Sequence, residues 1–297
     1  MITQTIFKKA VKLASATLIA AAAFSPLSAK EIRGGGKLLL TNGITSLEGS
    51  SGGGLTPWAV IAGNETRDGI GISAHGTVVE LKNYDYQSGG VSIGLFDTVE
   101  LSYAKQNFNT NEIGALLGLG AEYAFDQDVL GAKVKLAGDA VYGDPMMPAI
   151  AVGAQYKKNR NGAVVRLLGA RHDEGVDFYA SATKLFLSHS ILANATARLT
   201  KANQLGLLGF GGDKHGGYSL QFEGSLAWQL SRRLAVGGEY RAKPDNLGVA
   251  REDDWYDAFA AYAVTRNVTA TVAYADLGSI ATVKNQRGLF LSLQASF

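Results

Sequence analysis

The chain of 297 residues contains no cysteine. Disulfides, thiolate metal sites, a cysteine nucleophile and a lipid-modified N-terminal cysteine are therefore excluded. Charged residues make up only 18% of the chain, and 28 Lys+Arg nearly balance 26 Asp+Glu. Since no strongly basic domain is evident, nucleic acid is not an expected partner. Proline is scarce, with 5 residues in all, so long extended strands meet few interruptions.

The one extended apolar stretch lies at the N-terminus. Lys8, Lys9 and Lys12 precede or open an apolar stretch from Leu13 to Phe24, and the small pair Ser28-Ala29 follows. This order is typical of a secretory signal peptide. The stretch would cover roughly 18 Å as a helix, which is too short for a hydrocarbon core of roughly 30 Å. We expect cleavage after Ala29 and export from the cytoplasm.

After Ala29 no apolar run reaches the roughly 18 residues that a transmembrane helix needs. A closed β-barrel is the other structure that satisfies every backbone polar group in lipid. Residues 218–230 show the two-residue period that such a barrel requires. Their even positions carry a nearly unbroken apolar series, namely Tyr218, Leu220, Phe222, Gly224, Leu226, Trp228 and Leu230.

The same alternation recurs along the chain. The clear segments are 117–125, 132–142, 191–199, 234–242 and 289–297, and weaker ones include 90–105, 163–171 and 203–211. We predict 12 to 14 strands from Ile70 onward, the difference depending on 203–211 and on whether 90–105 splits in two. The predicted fold class is all-β: a transmembrane antiparallel up-and-down β-barrel of 12–14 strands.

Strand length favours lipid over a soluble core. Tyr218 and Trp228 share a face and lie ten residues apart, which is roughly 33 Å of strand. At a tilt of about 40° this spans roughly 25 Å of height, the separation of the two aromatic girdles of outer-membrane barrels. If Phe297 is periplasmic, one girdle lies near the outer end and contains Tyr123, Tyr156, Tyr218, Tyr240 and Tyr274. The alternative is a secreted β-sandwich.

These features predict location and partners. We expect the cell outer membrane, with its lipid and lipopolysaccharide around the barrel. The last strand ends in Phe297 and so resembles the C-terminal signal that the barrel-assembly machinery recognises, although Ala295 stands where a second aromatic residue is usual.

Several motifs are similar to those of a known family. They are Gly52-Gly53-Gly54-Leu55-Thr56-Pro57-Trp58-Ala59, Gly94-Leu95-Phe96-Asp97-Thr98-Val99-Glu100-Leu101-Ser102, Gly206-Leu207-Leu208-Gly209-Phe210-Gly211-Gly212, Ala235-Val236-Gly237-Gly238-Glu239-Tyr240-Arg241, Glu252-Asp253-Asp254-Trp255 and Ala273-Tyr274-Ala275-Asp276-Leu277-Gly278. On these residues the chain resembles an uncharacterised proteobacterial family, domain of unknown function 3034. The resemblance implies an outer-membrane protein and carries no activity.

Three regions follow from these patterns. Residues 1–29 are the expected signal peptide, 30–66 form a glycine-rich N-terminal segment, and 67–297 form the barrel. The segment 30–66 contains Gly34-Gly35-Gly36 and Gly52-Gly53-Gly54. It is a periplasmic tail, a piece folded into the lumen, or an extra hairpin, and the sequence alone leaves these three alternatives open.

The inward-facing positions of the predicted strands carry mixed charge. The candidate lumen-lining residues are Lys133, Lys135, Asp139, Lys157, Arg166, Asp177, Arg198, Glu223, Glu239 and Arg241. Two interpretations remain: ion pairs that fill a narrow barrel, or a water-filled path with a slight preference for anions. We favour a narrow channel or transporter for small polar solutes, which filters them by charge and size.

No catalytic, cofactor or metal site is predicted. The four histidines (His75, His172, His189 and His215) are dispersed, and none shows the spacing of a metal motif. One alternative is a structural or adhesion barrel that binds partners through loops 244–253 and 277–287. Another is an outer-leaflet lipid hydrolase using Ser188-His189-Ser190 or His172-Asp173, but neighbours along a strand point to opposite faces.

Overall fold

The computed structural model describes residues 36–142 and 144–297. The signal peptide expected at residues 1–29 and the start of the glycine-rich segment lie outside the described residues. The described part is a closed antiparallel barrel preceded by a short hairpin. The hairpin consists of β1 (Ile44–Thr45) and β2 (Ser51–Gly52), which pair with each other and with no barrel strand.

Twelve strands form the barrel, each paired with its neighbours in the chain, and β14 closes it against β3. They are β3 (Ile70–Leu81), β4 (Asp85–Leu95), β5 (Val99–Asn109), β6 (Ala124–Ala137), β7 (Ala149–Asn159), β8 (Glu174–Phe186), β9 (Ile191–Thr200), β10 (Ser219–Ser231), β11 (Leu234–Arg241), β12 (Trp255–Ala263), β13 (Val268–Asp276) and β14 (Arg287–Ser296). This confirms the predicted up-and-down barrel at the lower strand number, and the upper value of 14 is wrong.

Local backbone geometry explains the strands that the alternation placed wrongly. Residues 117–125 are mostly loop, because Gly118 and Gly120 have φ values of +75° and +95°, which a strand cannot contain. Segments 163–171 and 203–211 also lie in connections. A short helix, α1 (Ile113–Leu116), lies in the connection between β5 and β6. Segment 163–171 begins in a second short helix, α2 (Gly162–Leu167), and segment 203–211 contains a 3₁₀ turn (Asn203–Gly206). Residues 90–105 do split, at a turn between Leu95 and Val99.

The two faces of the wall have opposite chemistry. On β10 the outward residues Phe222, Leu226 and Trp228 are 61%, 60% and 57% exposed, whereas the side chains between them face inward and are buried. Buried lumen residues on other strands include glutamines, lysines and arginines. An apolar exterior around a polar interior is the reverse of a soluble protein, so hydrocarbon is the medium that fits the outer face.

The two ends of the barrel differ in their connections. At the end of Phe297 most turns are short, such as 96–98 and 232–233, with one longer connection at 138–148. At the opposite end the loops are longer, for example 201–218 and 242–254. Bacterial barrels carry short turns on the periplasmic side and longer loops outside. We therefore call the end of Phe297 the periplasmic end and the opposite end the outer end.

Aromatic side chains follow this polarity. The five tyrosines expected in one girdle all lie near the outer end, at the close of an ascending strand or at the start of a descending one, but Tyr123 precedes β6 and packs against the buried cluster of the outer loops. Trp228 and Tyr262 lie near the periplasmic end and are exposed. Among the described residues, no helix is long and apolar enough to span a membrane.

The glycine-rich segment enters the lumen. Every residue from Thr41 to Gly63 is buried, and their polar contacts reach most of the barrel strands. We call residues 41–63 the plug. Of the three arrangements that the sequence leaves open, the described part of the segment therefore adopts the one inside the barrel.

Candidate functional site: the plugged lumen

Glu48, at the tip of the plug hairpin, lies among three cations of the barrel wall. Its carboxylate forms an ion pair with Lys157 and lies 2.7 Å from Arg241 Nη1 and 3.5 Å from Arg198 Nη2. Both of its oxygens are engaged, Oε1 by Lys157 and Oε2 by the two arginines. All four side chains are almost completely buried, so these contacts are little screened by water.

The neighbouring charges explain why Glu48 stays ionised. Burial alone would raise the pKa of Glu48, but Arg241, Lys157 and Arg198 outweigh burial and hold that pKa well below its usual range. Two wall carboxylates complete the cluster. Asp177 lies 2.5 Å from Lys157 Nζ, and Glu223 lies 2.5 Å from Arg198 Nε.

The wall also binds the plug backbone. Ser88 Oγ and Gln106 Nε2 each donate to the Leu47 carbonyl at 2.8 Å, and Tyr86 Oη donates to it at 3.3 Å. Lys133 Nζ donates to the carbonyls of Ser51 and Val60 at 2.9 and 2.8 Å. The plug is thus held mostly by polar side chains of the wall, which satisfy backbone groups that burial would otherwise leave unpaired.

Glu100 and Glu239 hold the plug from two other sides. Glu100 accepts hydrogen bonds from the backbone N–H groups of Ser51 and Ala62 and pairs with Lys133 at 3.1 Å. Glu239 accepts from the Leu55 N–H, from Thr56 Oγ1 and from Ser225 Oγ, each at 2.8 Å.

The glycine run of the plug makes the contact with Glu239 sterically possible. A Cβ on Gly53 would lie 1.7 Å from Glu239 Oε1, far inside any real contact distance. Gly43 is also constrained, because its φ is +67° and a Cβ there would meet the Gly52 carbonyl oxygen.

Apolar side chains close the outer end above the plug. Leu47 and Phe108 pack in one buried cluster with residues of the outer loops, namely Leu205, Leu207, Leu208, Leu247, Ala250, Leu277 and Ile280. Lys243 and Glu252 form a buried ion pair of 2.9 Å in the same region. Burial lowers the pKa of Lys243 and raises that of Glu252.

Little free space remains around the plug. The cavities that line it among the described residues measure about 20, 40 and 80 Å³, which is room for a few water molecules each. The one of about 80 Å³ lies at the periplasmic mouth, where Lys37 and Lys135 both pair with Asp97. In this state the plug lies inside the barrel, and these three cavities beside it are small.

Most of the predicted lumen residues do lie inside the barrel. Lys157, Asp177, Arg198, Glu223 and Arg241 meet around Glu48. Lys133 and Glu239 contact other parts of the plug, and Lys135 lies at the periplasmic mouth.

One predicted position is wrong, and a second is a loop residue that borders the cavity at the periplasmic mouth. Arg166 is exposed on α2 in an outer loop, where it pairs with Asp173 at 2.8 Å, because the alternation at 163–171 is not a strand. Asp139 lies beyond the end of β6, in the connection 138–148, and accepts the N–H groups of Val141 and Tyr142.

Several residues that face the lumen are not among the predicted ones. Glu48 was missed because it belongs to no alternating segment. Gln127 lies on β6 and donates to Gln106 Oε1 at 2.9 Å, but it stands between Asp126 and Asp128, a residue type that favours turns. A signal was available for Gln155, because residues 148–157 alternate and Gln155 stands at an inward position, whereas Gln106 lies just beyond the segment 90–105.

The four histidines lie in separate parts of the structure, one on β3 and the others in three different connections. Ser188 Oγ lies 2.8 Å from His189 Nδ1, but both are exposed in a turn at the periplasmic end. His172 and His215 are exposed in outer loops, and His75 is buried on β3 with Nε2 3.4 Å from Ser88 Oγ. No group of three or more metal-ligating side chains occurs in residues 36–142 and 144–297.

Comparison with known proteins adds the following. No curated protein sequence matches the chain. Among solved structures it is similar to the KdgM porin, with 10% identity over 76% of this chain and 99% of the porin and a TM-score of 0.48. It is also similar to Acinetobacter baumannii Omp33, with 8% identity over 76% and 97% of the two chains and a TM-score of 0.44.

A third similar structure is the Escherichia coli outer membrane phospholipase A, with 8% identity over 76% of this chain and 92% of that one and a TM-score of 0.42. Likeness at these levels carries no conclusion about activity. The match to a family model is of a different kind, because it covers residues 41–294, and so includes the plug, eleven complete barrel strands and most of β14. The chain belongs to the family described as protein of unknown function DUF3034.

Proposed function

We propose that this protein is an outer-membrane channel for small polar solutes, which its own plug closes in the described state. The observation that carries the proposal is the polar character of the contact between plug and wall. The wall presents Lys133, Lys157, Arg198 and Arg241 to the plug, together with glutamine and serine side chains. Once the plug moves, water can solvate these groups, whereas an apolar wall would stay dry.

The same structure supports the proposed location in the outer membrane. The outer face is apolar between two levels of aromatic residues, which fits the hydrocarbon of an outer membrane. We include lipid and lipopolysaccharide as the surroundings of the barrel in this proposal. Recognition of Phe297 by the barrel-assembly machinery stays a prediction.

A second candidate is a non-conducting structural barrel. The apolar cluster at the outer end favours it, since Leu207, Leu208, Leu277 and Ile280 would have to separate before a solute could pass. In this candidate the plug never leaves the lumen, so the two functions differ in whether the barrel conducts ions.

A disulfide that locks the plug to the wall separates the two candidates. Thr56 Oγ1 and Ser225 Oγ lie 2.6 Å apart, one on the plug and one on β10, and the chain has no cysteine of its own. We expect the full-length T56C/S225C protein to show discrete conductance steps in a planar bilayer when reduced and none when oxidised.

A matched control places the crosslink within the wall. Thr77 Oγ1 and Ser292 Oγ lie 2.8 Å apart on the paired strands β3 and β14. Oxidation of T77C/S292C should leave conductance unchanged. Silence of the folded, reduced T56C/S225C protein and of the wild type alike would support the structural barrel and refute the channel.

A further inference from the structure

The charges around Glu48 follow a regular order along the wall. Five consecutive strands, β7 to β11, contribute one charged side chain each to this cluster, in the order Lys157, Asp177, Arg198, Glu223 and Arg241. The signs alternate from positive to negative, and a base stands at both ends. The wall by itself therefore carries three positive and two negative charges, and the plug's Glu48 supplies the third negative charge.

The two wall carboxylates are already committed to the wall cations. Asp177 lies 2.5 Å from Lys157 and also accepts from Thr200 Oγ1 at 2.6 Å, while Glu223 lies 2.5 Å from Arg198 and 3.4 Å from Arg241. These contacts tie Lys157 and Arg198 to the wall, whereas the shorter contacts of Arg241 are to Glu48 and to the Leu55 carbonyl of the plug. What remains is one unit of positive charge directed at the space that Glu48 occupies.

The remaining site has the geometry of a carboxylate receptor. Lys157 meets one oxygen of Glu48, and the two guanidinium groups of Arg198 and Arg241 meet the other. Charge-assisted hydrogen bonds from Arg and Lys to both oxygens are the strong and specific form of carboxylate recognition. Gln155 helps to position one of these guanidinium groups, since its Oε1 accepts from Arg198 Nη1 at 2.7 Å.

We infer that Lys157, Arg198 and Arg241 form a binding site for a small organic carboxylate, which Glu48 of the plug occupies in the closed state and a solute carboxylate occupies when the plug is displaced. This inference rests on the proposed channel function and names its substrate class. Three buried cations facing two carboxylates are costly without a third anion, so an opened lumen favours entry of one.

Chemical rescue tests the site without any need for conductance. In the full-length Glu48→Ala protein, propionate replaces the lost side-chain carboxylate. We expect propionate at millimolar concentration to raise the melting temperature of this variant in detergent by several degrees. Propionamide at the same concentration should have no effect, because it has the same shape without the charge. The wild type, whose site is occupied, should not respond to either.

Removing a cation of the site provides the matched control. The double variant Glu48→Ala/Arg241→Gln should lose the response to propionate, whereas Glu48→Ala/Lys135→Gln should keep it, since Lys135 lies at the periplasmic mouth and pairs with Asp97. Equal responses to propionate and propionamide, or a response that survives Arg241→Gln, would overturn the inference. Should Glu48→Ala fail to fold, Glu48→Gln keeps the size of the side chain and is tested by the second readout.

The second readout is ion selectivity of the same full-length variants in a planar bilayer. Under a potassium salt gradient, the reversal potential of Glu48→Gln should indicate a severalfold preference for anions over potassium. The double variant Glu48→Gln/Arg241→Gln should lose that preference. Rescue by propionate without conductance would preserve the carboxylate site and refute the channel. Conductance without rescue and without anion preference would preserve the channel and refute the site.

Discussion

At the scale of single residues, two members of the plug determine how it is held. Glu48 is the only charged residue between Lys37 and Glu65, and it meets three wall cations. Gly53 permits the backbone to lie against Glu239, because any Cβ would collide with that carboxylate. Glu48 thus holds the plug through its charge, and Gly53 does so because it has no side chain.

The low pKa of Glu48 predicts that acid does not open the barrel through this residue. A carboxyl whose pKa is depressed in the folded state contributes stability at every pH above its ordinary value of 4.5, and this stability is lost only as the pH falls through the folded value. Since that value is far below 4.5, the contact should persist from pH 8 to pH 4. Bilayer conductance across this range checks it. Opening between pH 5 and pH 4 in the wild type but not in Glu48→Gln would contradict the prediction.

Gly53→Ala should loosen the plug without disturbing the wall. The added methyl group forces Gly53 and Glu239 apart, and overpacking of this kind costs about 1–3 kcal/mol. This corresponds to an increase in open probability of about 5- to 150-fold. Gly89→Ala on β4 is the control, because its nearest neighbouring atom would lie at 3.7 Å. Equal conductance of the two variants would show that Gly53 does not restrain the plug.

At the scale of elements, each wall strand has one face toward hydrocarbon and the other toward the lumen. On β10 the outward side chains meet hydrocarbon, while Glu223 and Ser225 face the lumen and the plug. The period of two separates these sets, so a shift of one residue would expose charge to lipid and apolar groups to the lumen. The pairing of β10 with β9 and β11 fixes the register that avoids this.

Arginine substitutions along β10 measure its depth in the membrane. Leu226→Arg, near the middle of the strand, should lower the free energy of unfolding in lipid by about 2–4 kcal/mol. Leu220→Arg, near the outer end of the same face, should cost about 0–1 kcal/mol because arginine there reaches the headgroups. Both leucines are exposed in the structure, so in a water-soluble protein neither change would matter. Denaturant titration in lipid vesicles decides, and two equally small effects would argue against a lipid-facing wall.

At the scale of the whole molecule, the fold places its polar groups inside and its apolar side chains outside. The exposed apolar residues occur on strands all around the barrel, including Leu101, Leu130, Val152, Phe178 and Val272. Such a continuous belt exceeds the apolar patches of soluble monomers and needs lipid or detergent to cover it.

Removal of detergent should therefore precipitate the purified protein, and detergent or lipid should keep it monodisperse, as size-exclusion chromatography can show. The oxidised Thr56→Cys/Ser225→Cys protein, whose plug is locked, should precipitate in the same way, because the apolar belt and not the position of the plug causes the insolubility. A monodisperse folded species in plain buffer would contradict the transmembrane assignment.

The alternation along the chain predicted the wall to within a few residues where it was regular. Segment 218–230 became β10 (Ser219–Ser231), and 191–199 became β9 (Ile191–Thr200). It failed at 117–125, where Gly118 and Gly120 supply two of the four positions opposite the apolar series and both adopt positive φ. Apolar and small residues alternate there too, but nothing local reveals that the backbone turns.

The sequence by itself determined the barrel, its mixed lumen charges and its apolar exterior, because a two-residue period assigns each side chain to a face without reference to distant residues. The tertiary structure alone decided that residues 41–63 fill the lumen. Glu48 meets Lys157 and Arg241 across 109 and 193 residues of chain, and only closure of the sheet brings β7, β9 and β11 around one carboxylate. Such pairing depends on the register and curvature of the whole wall, which no local pattern encodes.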